Sequence, residues 1–573
     1  MKYCFIFKRF ILLIFIGIVT VAIGQGIPGY PCYRTVEETF TSAQDIVTNY
    51  PELAQWIDIG DSWEKTEIGE EQGYDIFVLR LTNSAIITGN PKPKLIVVSG
   101  LKPREYSPPE LALRFAEYLV ENYEKDADVT WILDYHEIHF ILHTNPDGRK
   151  KAEQGLAWIK NTNKNYCSPT SNYRGANLNR NFVFQWGCCG GSSGNECDVV
   201  YRGSAAASEP ETQAIQNYLQ LILRDMKHDD HSIAASDSTP GILLHLQSYS
   251  EKVMWPWGFT TTPAPNNSAL QTLGRKLAFF NGYSPQQEVE QFPTDGTLTD
   301  FSYGDLGVAT ISILLGTSYF QDCATFENTI LQNNFNLIIE AAKMVRTPYL
   351  TASGPSVINI NIGEQKSETI QISATINDTM YNNTNGIEPT QHITTAEYYI
   401  DVPPWVSVPI PIAFNMNASD GIFDSRVEDV SAMIDISGYS LGRHTVFLRG
   451  QDADGNWGNF SAIFIEINQF TGIDDPHSQS GYQYPEVHIH PVPSQIITNI
   501  ELQVESSTRI SIEIYDILGR KVRSLSNRVF SAGSHDLVWD SRDQSGSLVT
   551  SGVYFLRLST MRKVKNYKII KIK

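Results

Sequence analysis

The sequence predicts an α/β domain followed by two all-β sandwich domains. From about residue 30 to 347, apolar strand-like runs alternate with amphipathic helical segments, which is typical of an α/β domain. Beyond Pro348 the helical periodicity stops, and short alternating segments separated by Gly, Asn and Asp indicate β-sandwiches. A chain of 573 residues is several times the usual domain size. We therefore predict domains over 30–347, 348–470 and 487–573, with a polar linker over 471–486.

The N-terminus has the three-part layout of a secretory signal peptide. Basic residues (Lys2, Lys8 and Arg9) precede an apolar run that ends in Ala22-Ile23-Gly24. The run is too short to span a bilayer comfortably, and no later stretch is long and apolar enough to do so. We therefore predict a signal peptide over 1–24 and an exported protein that is soluble or held at the outer cell surface.

Charge and cysteine content agree with export. The net charge of -19 argues against a nucleic-acid or anionic-membrane partner, because such partners attract the opposite sign. Six cysteines remain after Cys4 leaves with the signal peptide, an even number that suits three disulfides whose pairing stays open. The alternative is a zinc cluster, which an oxidising compartment and the lack of local histidines disfavour. The six are Cys32, Cys167, Cys188, Cys189, Cys197 and Cys323.

Several elements of the first domain can be placed directly. Apolar runs at 95–99, 138–142 and 242–246 predict buried strands. Ser107-Pro-Pro-Glu110 and Ser208-Glu-Pro-Glu211 each match a capping box and are followed by apolar residues at helical spacing. We therefore predict that helices begin at both motifs.

The first domain contains an ordered set of motifs: Gly100-Leu-Lys-Pro-Arg-Glu105, Asn145-Pro-Asp-Gly148, Gly175-Ala-Asn-Leu-Asn-Arg-Asn-Phe182, Tyr201-Arg-Gly203, Ser248-Tyr249 and Pro256-Trp-Gly258. This set resembles the M14 metallocarboxypeptidase family. The resemblance implies a mixed sheet flanked by helices, a zinc cofactor and removal of C-terminal residues from peptides. The fold is one inference and the chemistry another, because function depends on individual site residues.

The positions that the resemblance assigns to zinc are largely substituted. The family uses a His and a Glu three residues apart and a distant His before Ser-Tyr; these positions hold Lys102, Glu105 and Gln247. A catalytic zinc needs three donors and an open position. A protonated amine has no lone pair, and a glutamine amide is a poor neutral ligand. Glu105 is thus the only retained ligand, and we expect no zinc cofactor.

The catalytic positions are substituted as well, so we expect none to be intact. The resemblance places the general base at Leu314, which cannot accept a proton. The residue that orients the first zinc histidine becomes Asn177, the oxyanion-stabilising arginine Ile159, and the capping tyrosine Phe292. His245 lies two residues before Gln247 and on the same face of a strand, so it is the one candidate to replace a lost zinc ligand. Together with Glu105 it would supply two zinc ligands.

Substrate-binding positions are retained. Arg104, Asn179 and Arg180 match the family positions that hold the terminal carboxylate and nearby backbone of a peptide, and a guanidinium fork suits a carboxylate. The alternative is that they persist as structural hydrogen bonds. A second hypothesis concerns Lys102, whose ammonium could pair with Glu105 and replace the charge of the metal.

The β domains also show resemblances. Asp420–Asp424 and Asp452–Gly458 are similar to segments of immunoglobulin-like sandwiches, and the second is either a calcium site or a hairpin turn. Residues 487–573, with Ile514–Val522 and Ser551–Arg557, resemble the C-terminal sorting domain of the type IX secretion system and the related FlgD-type immunoglobulin-like repeat. This implies the type IX machinery as a partner.

Three functions follow from the sequence. The first is a pseudoenzyme that binds peptides with a free C-terminal carboxylate, or cell-wall peptides. The second is an active zinc carboxypeptidase with atypical ligands. The third is a structural or adhesive surface protein. Lost ligands beside retained Arg104, Asn179 and Arg180 favour the first.

Overall fold

The structure is a computed structural model of the chain. It describes residues 26–67, 72–366, 368–469, 485–491, 494, 497–504, 507–516, 520–560 and 564–572. The predicted signal peptide and nearly all of the predicted linker lie outside these residues. Among the residues described, no helix combines the length and the apolar character needed to cross a membrane.

The described residues fall into two compact units. One contains the residues up to Ile362 together with Ile372–Ala432 and Arg443–Ile465. The other contains Gly363–Gln371, Met433–Gly442 and the residues from Glu466 onwards. The α/β domain lies entirely in the first unit.

A mixed eight-stranded sheet is the centre of the α/β domain. Its order is β1-β2-β4-β3-β5-β8-β6-β7, and β4, β3, β5 and β8 run parallel to their neighbours in this series. Every residue of β5 and of β8 is buried, which explains why apolar residues occur on both faces of these strands rather than alternating with exposed polar ones. The strands are β1 (Ala54–Asp61), β2 (Asp75–Leu81), β3 (Lys94–Val98), β4 (Glu137–Ile141), β5 (Ile242–Ser248), β6 (Lys252–Trp255), β7 (Ser284–Gln287) and β8 (Ala309–Leu315).

Helices accompany the sheet, and a large apolar core forms around it. They are α1 (Val36–Asn49), α2 (Trp63–Thr66), α3 (Ser107–Asn122), α4 (Ala127–Tyr135), α5 (Pro146–Ala152), α6 (Pro210–Ile222), α7 (Asn267–Asn281), α8 (Glu288–Gln291), α9 (Leu298–Gly304), α10 (Cys323–Thr325), α11 (Leu331–Met344) and α12 (Pro348–Thr351). A 3-10 turn at Leu178–Arg180 and a π-helical turn at Phe326–Ile330 complete the set.

The three strands expected at 95–99, 138–142 and 242–246 are present as β3, β4 and β5, and helices follow both expected motifs. The two capping boxes, however, were wrong. Neither α3 nor α6 has a side-chain cap. Glu110 instead accepts hydrogen bonds from the backbone N–H and Nη1 of Arg34. Glu211 accepts from the backbone N–H of Trp63. Partners that are distant in sequence therefore take the carboxylates that a local cap would have used.

All six cysteines form disulfides, as their even number suggested. Cys32 pairs with Cys323, Cys167 with Cys197, and Cys188 with its neighbour Cys189. The last two pairs lie in one Gly-rich segment, and the first joins residues near the two ends of the domain. None of these cysteines belongs to a zinc cluster.

Beyond the α/β domain the described chain is all-β. Two four-stranded sheets follow first, β13-β14-β10-β9 and β12-β11-β15-β16. The strands are β9 (Ser356–Lys366), β10 (Thr369–Asn377), β11 (Ile393–Ile400), β12 (Phe414–Asn415), β13 (Asn417–Ala418), β14 (Val427–Asp435), β15 (Gly442–Asp452) and β16 (Ser461–Ile467). The carboxylate of Asp452 accepts hydrogen bonds from the backbone of Asp454 and Asn456 and from the amide of Asn456, so it closes a turn.

The C-terminal module has a three-stranded sheet, β17-β18-β21, and a four-stranded sheet, β20-β19-β22-β23. Alternating apolar residues of these strands, with Trp539, form a small core. The strands are β17 (Glu486–His490), β18 (Thr498–Val504), β19 (Thr508–Asp516), β20 (Lys521–Phe530), β21 (Gly533–Trp539), β22 (Gly552–Thr560) and β23 (Val564–Lys571). The pairs within both sheets are antiparallel, which is consistent with an immunoglobulin-like fold.

Candidate ligand-binding cleft

The candidate cleft lies where parallel strands end. Gln247 and Leu314 are register partners near the carboxyl ends of β5 and β8. Lys102 and Glu105 lie in the turn that follows β3, which Gly100 opens with a φ of +77°, a value that favours glycine. Because ligands of open α/β sheets bind outside the carboxyl ends of strands, this edge is where a site is expected.

At the family's zinc positions, Lys102 contacts both of the other residues. Nζ of Lys102 donates a hydrogen bond to Oε1 of Gln247 at 2.7 Å. The same Nζ lies 3.5 Å from Oε1 of Glu105. Glu105 and Gln247 are buried, and the side chain of Lys102 is 14% exposed. The pairing of Lys102 with Glu105 that the sequence suggested is therefore present, and Gln247 completes it.

Burial and opposite charge act against each other in this group. Burial raises the pKa of Glu105, and the neighbouring Lys102 charge lowers it in part. Burial likewise lowers the pKa of Lys102, and Glu105 opposes that shift. Each charge therefore stabilises the ionised form of the other in a site where water does not.

Arg180 and Asn179 form a second group, in the 3-10 turn. Arg180 is held by two backbone oxygens: Nε donates to Gly191 O at 2.9 Å and Nη1 to Asn179 O at 2.6 Å. Oδ1 of Asn179 accepts from the backbone N–H of Leu298 at 3.0 Å. Within the described residues, Nη2 of Arg180 and Nδ2 of Asn179 have no hydrogen-bond partner. These two donors are thus available to a ligand, and other hydrogen bonds fix the side chains that carry them.

A cavity of about 20 Å³ joins the two groups. Its apolar lining is formed by Met254, Phe292 and Leu314. Its polar lining consists of Lys102, Asn179, Arg180, Gln247, Glu288, Gln291 and Thr294. Glu288 was not anticipated from the sequence. It stands at the start of a four-residue helix and belongs to none of the motifs found in the sequence, so only the tertiary structure reveals that its carboxyl lies in the cleft.

Arg104 is not part of this cavity lining. Its guanidinium stacks 3.7 Å from the ring centroid of Tyr319, which packs edge-on against Tyr249 at 4.8 Å. The structure therefore brings Asn179 and Arg180 together with the Lys102 group, and places Arg104 beside an aromatic pair instead.

The other residues that the sequence analysis considered for the site lie in places that suit a structural role. Asn177 caps the 3-10 turn, since its Oδ1 accepts from Asn179 N, and it donates to Val199 O. His245 is fully buried on β5, and burial holds its pKa well below the usual value. His143 contacts Thr39 Oγ1 in the domain interior. No three His, Cys, Asp or Glu side chains in the described part of the chain are grouped so that they could hold a metal ion.

Comparison with known proteins identifies the domain. The model of the zinc carboxypeptidase family, peptidase M14, matches residues 41–335, just over half of the chain. The chain belongs to the zinc carboxypeptidase family. A second model, of the FlgD Ig-like domain, matches residues 495–563 of the C-terminal module.

Relatives within the zinc carboxypeptidase family are moderately similar. A zinc carboxypeptidase of Saccharothrix mutabilis subsp. capreolus is 30% identical over 296 residues, which cover 48% of this chain and 60% of that protein. Mouse carboxypeptidase A4 is 28% identical over 250 residues, 44% of this chain and 52% of the relative. Human carboxypeptidase A1 is 28% identical over 251 residues, 43% of this chain and 52% of the relative. The chain thus spans between about half and 60% of the length of these relatives.

Two solved structures are each similar to just over half of the chain. Thrombin activatable fibrinolysis inhibitor matches with a TM-score of 0.46 and 21% identity, covering 55% of this chain and 74% of the other. Carboxypeptidase A from Helicoverpa armigera matches with a TM-score of 0.45 and 19% identity, covering 54% and 73%.

Proposed function

We propose that this member of the zinc carboxypeptidase family is a pseudoenzyme that binds peptides through a free C-terminal carboxylate and does not hydrolyse them. The observation that carries the proposal is the contact of Lys102 Nζ with both Gln247 and Glu105. An internal ammonium joins the residues at the metal positions, while donors for a carboxylate remain unused beside it.

The residues present do not fit a catalytic zinc ion. Three donors with available lone pairs are needed, and the set here is an ammonium, a carboxylate and a neutral amide. Nζ of Lys102 is 2.7 Å from the amide oxygen and 3.5 Å from the carboxylate, so a cation already balances Glu105. A divalent ion at this place would meet the positive charge of Lys102.

The groups that would perform hydrolysis are also missing from their family positions. Leu314, at the general-base position, is a buried apolar residue in the cavity lining. Ile159 stands at the position of the oxyanion-stabilising arginine and carries no donor. One preorganised electrostatic donor is typically worth about 3 kcal/mol of barrier. The loss of metal, base and donor together therefore supports binding without turnover.

Carboxylate binding is supported by the two spare donors. Nη2 of Arg180 and Nδ2 of Asn179 line the same cavity, and neighbouring backbone oxygens fix the Arg180 fork. A carboxylate that accepts from both would form charge-assisted hydrogen bonds in a buried place, where such bonds are strongest. The Arg180 donors are therefore held in position before a carboxylate arrives.

Binding is tested with a fluorescent peptide that ends in glycine, prepared as the free acid and as the C-terminal amide. We expect the acid to bind at least about tenfold more tightly, because the amide lacks the charge that Arg180 recognises. Arg180→Ala should abolish the difference. Arg114→Ala, which removes an arginine from α3 outside the cavity lining, should preserve it. Equal binding of acid and amide would contradict the proposal and favour a structural or adhesive role.

Turnover is tested separately with the purified full chain. We expect zinc below stoichiometric amounts after dialysis and no loss of C-terminal residues from free-acid peptides, measured by mass spectrometry. Stoichiometric zinc with chelator-sensitive cleavage would instead establish an active carboxypeptidase with atypical ligands.

We further propose that the protein is exported and sorted to the outer cell surface by the type IX machinery. Three disulfides suit an oxidising compartment, and the C-terminal module is of the FlgD Ig-like type. In a bacterium with that machinery, the full chain should reach the cell surface, and a chain that ends at residue 486 should remain periplasmic. Surface display of the shortened chain would contradict this role.

A further inference from the structure

Three buried carboxyl groups lie near Arg180. They belong to Glu288, Asp295 and Asp300. Burial lowers the pKa of Arg180, and all three carboxyls oppose that shift, Glu288 most strongly. Asp295 is tied to the loop that supports Arg180, because its Oδ2 accepts from two backbone N–H groups of that loop. The protein itself therefore balances the charge of Arg180 before a ligand carboxylate arrives.

Glu288 and Asp300 face each other beside Gly258, and we call these two side chains the acid pair. A Cβ added to this glycine would lie 3.2 Å from Asp300 Oδ2 and 3.4 Å from Glu288 Cδ. The backbone N–H of Gly258 donates to both oxygens of Asp300, at 3.0 and 3.3 Å, and Glu288 Oε2 accepts from Ser312 Oγ at 3.4 Å. Two carboxylates this close and this deeply buried disfavour simultaneous ionisation.

The charged groups around the acid pair set how readily it loses protons. Burial raises the pKa of both carboxyls, and the Glu288 charge raises that of Asp300 further. Against burial, Arg180 and Lys102 lower the pKa of Glu288, and Arg180 lowers that of Asp300. Lys102 is itself paired with Glu105, so Arg180 is the main cation that the acid pair can use.

A ligand carboxylate would change this balance. By accepting hydrogen bonds from Arg180, it would engage the cation that offsets the acid pair and add a negative charge next to it. A nearby negative charge disfavours the ionised form of a carboxyl, and the effect is strong where water is excluded. The bound state therefore favours a protonated acid pair more than the free state does.

We infer that the acid pair gains a proton from solution when Arg180 binds a peptide carboxylate. The inference rests on the proposed function, because it concerns the carboxylate that Arg180 holds. It makes peptide binding sensitive to pH. While the free protein already holds the proton, Kd is independent of pH; once the free acid pair has lost it, Kd rises by about tenfold per pH unit.

The test measures proton uptake with the full wild-type chain and an N-terminally labelled free-acid peptide that ends in glycine. Isothermal titration calorimetry at pH 7.5 and pH 8 is performed in HEPES and in Tris, whose heats of ionisation differ. The difference between the observed enthalpies gives the number of protons taken up. We expect uptake that approaches one proton, and a Kd, measured by fluorescence anisotropy, that increases from pH 6 to pH 9.

Substitutions identify the group that receives the proton. Glu288→Gln keeps the size of the side chain, and should remove most of the uptake and bind the peptide about tenfold more tightly than wild type at pH 8. Asp300→Asn, checked for folding by circular dichroism, keeps an oxygen for the Gly258 N–H and is the second variant. The control Glu290→Gln removes an exposed carboxyl from the same helix, α8, and should retain the uptake.

The two proposals fail in different ways. If the acid binds with equal enthalpy in both buffers and a constant Kd from pH 6 to pH 9, the proton uptake is wrong and the proposed function stands. Undiminished uptake in both folded variants of the acid pair would overturn the assignment to Glu288 and Asp300. If the free acid does not bind at any of these pH values, the proposed function is wrong and the proton uptake with it.

Discussion

Lys102 Nζ lies 2.7 Å from Gln247 Oε1, and this hydrogen bond connects two residues at positions where the zinc carboxypeptidase family has histidines. Glu105, the third position, is 3.5 Å from the same nitrogen. The amide oxygen of Gln247 and the carboxylate of Glu105 therefore both lie within 3.5 Å of one atom, the Nζ of Lys102. This relationship makes two predictions about the metal site.

The first prediction is that the site can be converted back to a zinc site. Lys102→His combined with Gln247→His would provide two imidazoles beside Glu105, the three donors that zinc requires. We expect the double variant to retain one zinc ion per chain after dialysis, measured by elemental analysis. Lys102→His alone leaves only two strong donors and should retain less. A double variant without zinc would show that the three positions do not converge as the contacts indicate.

The second prediction is that Lys102 stabilises the fold through its charge. Lys102→Met keeps the length of the side chain and leaves the buried Glu105 without its cation, and breaking a buried ion pair typically costs about 3–5 kcal/mol. We expect the free energy of unfolding, measured with urea, to fall by about 3 kcal/mol. Adding Glu105→Gln should recover most of this loss. Equal stability of wild type and Lys102→Met would show that the pair contributes nothing.

The sequence predicted those parts of the fold that depend on local pattern. Parallel strands buried on both faces read as continuous apolar runs, so β3, β4 and β5 could be located. Lys102 and Glu105 are three residues apart, so their pairing could be suggested. The predicted capping boxes of α3 and α6 are absent, because Glu110 and Glu211 accept hydrogen bonds from partners that are remote in sequence. These partners are Arg34 and Trp63. Glu288 and the disulfide partner of each cysteine also depend on tertiary approach and could not be inferred.

The third prediction concerns the disulfide between Cys188 and Cys189, both exposed at the surface. The backbone N–H groups of Cys189 and Gly191 donate to Asp295 Oδ2, and Gly191 O accepts from Arg180 Nε. Cys188→Ser with Cys189→Ser frees this loop, so Arg180 loses part of its support. We expect glycine-peptide binding to weaken about tenfold, the equivalent of one charge-assisted hydrogen bond.

The control for this loop is the full chain with Glu52→Gln, an exposed substitution remote from the cleft, which should bind as wild type. Restoring the cysteines should restore the affinity. Unchanged binding in the double serine variant would mean that the loop holds Arg180 without its covalent bridge.

The fourth prediction is a pH dependence of stability that originates at Glu211, inside the α/β domain. Burial, reinforced by the nearby Glu209 and Asp147 charges, raises the pKa of Glu211 from 4.5 to about 8. The folded state therefore holds a proton that the unfolded state releases near pH 4.5. Stability is highest below that value, falls as the pH rises, and reaches its lower limit above about pH 8.

Glu211→Gln removes this titration and keeps an oxygen for the Trp63 N–H. Because each pKa unit is about 1.4 kcal/mol, the variant should gain stability relative to wild type by on the order of a few kcal/mol between pH 5 and pH 8. Urea unfolding at pH 5, 6, 7 and 8 measures the difference, with Glu52→Gln as the exposed control. A difference that stays constant across this range would show that Glu211 ionises in the folded state as readily as in the unfolded state, despite its burial between two other carboxylates.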